Sequence, residues 1–235
     1  MSEEIFEACC KNVKALKSER KMLIRSFNDA LRKNSIKDIE FFTKIYAFLY
    51  SAYAEVSFQK LINIPNGFEQ SVINEIQRQR NLEEKWTKCV NMALVHICEC
   101  TEKGAFANKS QSLNRILNKY IIGPSQIRNK IAHGQWIECL NNDCSGLNCE
   151  FTNEIRRLDF VKLDGLFTIY DMFQQCIIDL ILSPRTHYRD FYTLMVKIEE
   201  YIDYTKNWNI NSKRKQLEMS DKMFNYKKCR CLENN

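Results

Sequence analysis

Apolar side chains recur every three to four residues along most of this chain, and that spacing predicts helices nearly throughout. From about Glu3 to Arg32, Ile5, Cys9, Val13, Leu16, Phe27 and Leu31 share one face, while Lys11, Lys14 and Glu19 fill the other. Ser35 followed by Asp38 resembles a capping box and predicts the start of a second, aromatic-rich helix that runs to Asn63 and stops at Pro65-Asn66-Gly67. A third helical stretch covers roughly residues 69–100 with a break near Arg80-Asn81, and Trp86, Val90, Ala93 and Ile97 form its stripe. Residues 104–109 read as a loop, and Ser110 as the cap of a shorter helix through Leu113, Ile116 and Leu117.

Gly123-Pro124-Ser125 then punctuates the chain. Proline suits a first helical turn, serine a cap, and Gly134 a C-terminal stop, so a short helix is expected between them. After Gly134 the pattern changes. Residues 135–140 and 150–158 read as two short strands around the turn-forming 141–148, a β-hairpin insertion at 135–158. Two further helices follow, about 162–182 and 185–204, separated by Ser183-Pro184. The fold class expected is all-α: one helical domain over residues 1–205, a small hairpin, and a loose basic tail over 206–235.

Composition agrees with that organisation. Only six glycines and three prolines occur in 235 residues, against 45% hydrophobic and 27% charged positions. A chain so poor in breakers is neither a turn-rich β fold nor disordered. The net charge is a mild +6, with eight basic residues between Lys206 and Arg230, and such a tail attracts phosphate polyanions through a salt-sensitive term. The acidic, polar opening of the chain lacks the pattern of a secretory signal. No apolar run is read as reaching the ~20 residues of a membrane span, Ile45–Ile62 being the longest candidate. Eleven cysteines without a secreted framework are expected to be reduced thiols in a cytoplasmic protein. Neither Cys139, Cys144 and Cys149, nor His96-x-Cys98-x-Cys100, nor Cys229-x-Cys231 has structural zinc spacing, so no metal or other cofactor is expected. His96 sits in an apolar stripe and reads as a core residue, while His187, near Arg185 and Arg189, reads as a solvated turn. No phosphate-binding glycine loop or nucleophile elbow is present.

One segment carries chemistry: Gln126-Ile127-Arg128-Asn129-Lys130-Ile131-Ala132-His133-Gly134. Histidine ordinarily titrates near pH 6.5, which suits proton transfer. Arginine stays charged and grips phosphate oxygens through a planar fork. On a helix, Asn129 and His133 stand ~40° apart, so the amide can orient the imidazole. Arg128 is ~140° from His133 and must reach round. The bland alternative for His133 is a helix-terminal cation that satisfies the last carbonyls. Asn129 would equally serve as a surface residue, and Lys130 as a solvated charge or a phosphate contact. Ile131 and Trp136 read as core.

Arg128-Asn129 with His133 resembles the motif of the HEPN superfamily, an arginine and a polar residue followed at short range by a histidine near a helix end. The resemblance implies a helical bundle that dimerises with two-fold symmetry, pooling two arginines and two histidines. It implies metal-independent endoribonuclease activity, with attack of a ribose 2′-hydroxyl on the adjacent phosphate to leave a 2′,3′-cyclic phosphate. His133 and Arg128 would be catalytic, Asn129 orienting, and Lys130 a weak RNA contact. The setting implied is that of a toxin or antiviral effector acting on RNA, with a protein antitoxin or regulator as partner and neither DNA nor membrane. Some members of the superfamily are instead non-catalytic dimerisation or RNA-binding modules, and binding of a nucleotide ligand without cleavage is a third reading.

Overall fold

A computed structural model describes residues 2–97, 103–141, 143–186 and 188–233; within these helices the side chains of residues 2, 103, 128, 188–189 and 223–233 fall outside the description. The described chain is all-α. Ten α-helices follow one another: α1 (Ser2–Arg32), α2 (Ile36–Ile62), α3 (Gln70–Gln77), α4 (Leu82–Ile97), α5 (Lys103–Ile116), α6 (Gly123–Ala132), α7 (Cys149–Arg156), α8 (Phe160–Leu182), α9 (Tyr188–Thr205) and α10 (Ile210–Glu233). A π-helical segment, Leu117–Ile122, joins α5 to α6.

The long helices α1 and α2 pack together, and α8 packs against α2, with α4 and α9 also against α8. Aromatic rings fill the junction. Tyr46, Tyr53, Phe58, Trp86, Phe167 and Tyr170 are almost completely buried. Phe160 stacks between Phe27 and Tyr46 at centroid distances of 3.7 and 4.0 Å. The tyrosine hydroxyls among these rings find partners, whereas the buried Trp86 indole N–H has none among the described residues. Tyr46 donates to Asp164, which also takes Arg20 at 2.6 Å. One heptad further along both helices, Tyr53 donates to Asp171, which takes Lys17 at 3.3 Å. Seven-residue spacing on α2 and α8 thus repeats the same tyrosine–aspartate clasp, with a cation from α1 on each. Tyr170 closes the set by donating to the Ala54 carbonyl at 2.6 Å.

Among the described residues, α8 alone has the length and hydropathy of a membrane-crossing helix, contrary to the expectation that no run does. Its apolar surface is spent on the core: Phe167, Tyr170, Phe173, Cys176, Ile177 and Leu180 are buried.

The expected hairpin is absent. Among the described residues one antiparallel bridge forms, Leu140 with Leu147, and the stretch expected as a second strand is the helix α7. Asn148 caps that helix by accepting the Phe151 N–H at 3.0 Å, and Phe151, Ile155 and Leu158 have helical spacing that the strand reading overlooked. Residues 104–109, expected as a loop, lie inside α5. Ser35 precedes α2 but makes no side-chain capping bond. His96, expected in the core, is exposed, while Cys98, Cys100 and His187 lie outside the described residues. The expected loose tail continues as α10, held to α1 by Arg32 and Asp221 at 2.9 Å and to the start of α8 by Asp159.

Candidate functional site

The motif helix α6 is not the isolated short helix that Gly123-Pro124-Ser125 suggests. It continues from α5 through the π-helical segment, so the backbone is helical from Lys103 to Ala132. Proline has no N–H, so Pro124 leaves the Tyr120 carbonyl without its helical donor. The Tyr50 hydroxyl of α2 donates to that carbonyl at 3.4 Å, and the wider π turns make room for the ring, with the Gly123 N–H reaching back to Asn118. Ser125 does not cap α6; its hydroxyl donates to the Ile122 carbonyl at 2.7 Å. Ile131 is fully buried, and α6 packs against α2 and α7 through this face.

The C-terminal end of α6 is sharply defined. Gly134 has φ +78°, its N–H bonds the Ile131 carbonyl, and the Gln135 N–H bonds the Lys130 carbonyl, each at 3.0 Å. This paired pattern is a Schellman stop, and it makes His133 the C-cap residue. His133 donates its N–H to the Asn129 carbonyl at 3.0 Å. The imidazole is exposed and makes no hydrogen bond or ion pair among the described residues. Asn129, one turn earlier, is also exposed. Arg128 lies in α6 by its main chain, and its side chain is outside the description.

Lys130 is turned to a different task. Its ammonium donates to the Leu140 carbonyl at 2.7 Å and stands 5.6 Å from the Phe151 ring centre. Gln135 accepts the Leu140 N–H at 2.9 Å, so both main-chain groups of Leu140 are held by side chains from α6 and its cap. Trp136 folds back, its indole N–H donating to the Ile131 carbonyl at 3.1 Å. Cys139 is buried, its N–H bonded to Thr152 at 2.8 Å. The chain from 135 to 148 is therefore a strap fastened to the motif helix, with Ile137 and Leu147 projecting 70% and 63% exposed. Cys144 and Cys149 are exposed free thiols, and no three potential ligands converge on a metal-sized point among the described residues.

The sequence thus located an exposed imidazole on a fixed helix end with Asn129 beside it on the helix. It missed the strap, whose fastening depends on Lys130 and Gln135 reaching Leu140. It also missed a cleft of about 550 Å³ along the other half of α6, bounded by Gly123, Gln126, Ile127, Phe151 and Lys162. Set against protein-family models, curated proteins and solved structures, the chain matches none of them.

Proposed function

We propose that the protein is a metal-independent endoribonuclease of the HEPN type, working as a two-fold dimer in which two copies of the α6 end face each other. The observation that carries this reading is His133: an exposed imidazole with no partner of its own, on a backbone position fixed by the Gly134 stop. A histidine serving only to satisfy helix carbonyls would be engaged with them, and this one is not. In the proposed reaction one His133 takes the proton of the attacking ribose 2′-hydroxyl. The phosphorus–5′-oxygen bond breaks, and the second His133 returns a proton to that oxygen, leaving a 2′,3′-cyclic phosphate. Arg128 neutralises the phosphorane, and Asn129, which makes no hydrogen bond to the imidazole in the single chain, would orient the ring only in the assembled site. Ile137 and Leu147 support the dimer, because exposed apolar side chains beside the motif are suited to burial against a second copy. Lys130 is already bonded to Leu140 and takes no part in phosphate contact in this scheme. An RNA-cleaving toxin or defence effector restrained by a protein partner is the setting that fits such an activity.

The test is incubation of purified protein with mixed RNA in the presence of a chelator. Cleavage with cyclic-phosphate ends is expected, and His133→Ala or Arg128→Ala should lower the rate by about 100-fold or more. Cleavage that survives both substitutions would sink the site, and cleavage abolished by the chelator would sink the mechanism. A folded, dimeric wild type without activity would favour a non-catalytic binding module.

A further inference from the structure

Two clefts, of about 520 and 550 Å³, adjoin and share Lys119, Lys162 and Leu166 in their walls. The first is bounded by α1, the π-helical segment, α8, α9 and the start of α10. Four lysines from four different elements line it: Lys119 of the π-helical segment, Lys162 of α8, Lys206 after α9 and Lys213 of α10. The carboxylates in the same wall are already engaged. Asp164 holds Arg20 at 2.6 Å, and Asp203 faces Lys206 at 3.8 Å. Lys119 and Lys162 make no ion pair among the described residues, and Lys213 reaches only Gln216, at 3.2 Å. The cleft therefore has a surplus of positive charge.

Its floor is apolar and aromatic. Ile169 and the rims of Phe27 and Phe160, whose faces are taken up in the core stack, lie there with the exposed Trp208 beside them. One polar atom is left over. Asn28 lines this cleft, and its carboxamide oxygen is buried and has no hydrogen-bond partner among the described residues. A buried acceptor without a donor is costly, and a ligand N–H or O–H would satisfy it. Phosphate-seeking cations, an apolar lining with an exposed indole and an unpaired acceptor together describe a pocket for a phosphorylated aromatic group, and the volume lies in the range of small-ligand sites.

We propose that this cleft binds a nucleotide unit, its phosphate on the lysines, its base against Trp208, and a base amino or sugar hydroxyl donating to Asn28. A free nucleotide and one nucleotide of a single RNA strand offer the same chemistry. The adjoining cleft leads from Lys119 and Lys162 to Gln126 and Ile127 of α6, but Glu150, Glu154 and Asp159 also line it, so the phosphate site is confined to the first cleft. The site does not depend on the cleavage chemistry.

Full-length protein carrying His133→Ala is the material for the test, so that binding is read whether or not the wild type cleaves RNA. The probes are a fluorescently labelled single-stranded RNA octamer, the four nucleoside 5′-monophosphates, and inorganic phosphate. Binding of the octamer is expected, and Lys162→Glu with Lys213→Glu should weaken it at least tenfold. An equal charge change at the exposed Lys11 and Lys37, Lys11→Glu with Lys37→Glu, should weaken it less than threefold. Asn28→Leu should cost severalfold for octamer or mononucleotide while leaving the melting temperature unchanged or raised. A mononucleotide that competes with the octamer at similar concentration identifies a free nucleotide as the occupant; competition only at far higher concentration identifies the strand. Equal losses in the two charge-reversed proteins, competition by inorganic phosphate as strong as by the mononucleotides, or no binding of any probe would overturn the proposal. If the charge-reversed protein fails to fold, Lys162→Gln with Lys213→Gln gives the same reading.

Discussion

Gly134 decides where His133 stands. With φ at +78° it occupies the left-handed region, where an L side chain meets its own backbone although open space surrounds the missing Cβ. Gly134→Ala should therefore cost about 1–2 kcal/mol, seen as a lower melting temperature, with no clash to blame. The consequence for RNA cleavage should be larger than that for stability, because the Schellman bonds that place the C-cap loosen first. A rate that falls no further than the folded fraction would show that the cap has no part in placing the imidazole. Asn129→Ala offers a contrasting case on the same helix. It sits on the exposed face, so the fold should be nearly unaffected while the pH profile of cleavage shifts, if the amide orients His133.

The helices differ in how much of their start and end the sequence disclosed. Where apolar residues recur over twenty or more positions, as in α1, α2 and α8, periodicity alone locates the element within a few residues. The break between α3 and α4 was legible too, and Asn81 confirms its local logic by accepting the Glu84 N–H at 2.8 Å. Short elements were harder. In α7 only Phe151 and Ile155 mark the apolar face, too few positions for periodicity to separate helix from strand over so short a span. The continuity of α5 into α6 was not legible at all, since the Tyr120 carbonyl opposite Pro124 meets the Tyr50 hydroxyl, 70 residues away, only after folding. Basic clefts share that difficulty, because Lys119, Lys162, Lys206 and Lys213 meet only after folding. Helix starts also carry load across elements. Asp159 caps α8 by accepting from Val161 and Lys162, and its second oxygen takes the Ile210 N–H of α10 at 3.0 Å. Asp159→Ala removes both roles and should cost about 2 kcal/mol. Asp159→Asn, which retains an accepting oxygen, should recover part of that loss in a denaturant titration.

At the scale of the whole molecule the core is knitted by groups that must stay protonated. Burial pushes the Cys89 thiol well above its ordinary 9.0, and burial, aided by Asp179, pushes Cys176 up to about 12. Burial raises the Tyr46 and Tyr53 phenols too, reinforced by the aspartate each one bonds. In the unfolded chain these groups ionise at ordinary values, while in the fold they hold their protons. Above those values the unfolded state binds fewer protons, so stability falls as pH rises. The contribution is whole below about pH 9, erodes first through the thiols and then, past pH 10, through the tyrosines as well. For Cys176 alone the loss by pH 11 is about 2–3 kcal/mol. Melting temperatures measured from pH 7 to 11 in reductant should be level to about pH 8.5 and then drop steeply. Cys176→Ala should start lower, having lost packing, and descend less steeply. Tyr53→Phe should flatten only the part of the curve beyond pH 10, since it removes one late-ionising phenol and leaves the thiols in place. A wild-type curve that stays level to pH 11 would mean that these groups are not held protonated by the fold, and that the paired tyrosine–aspartate clasps do not bind α2 to α8 in solution.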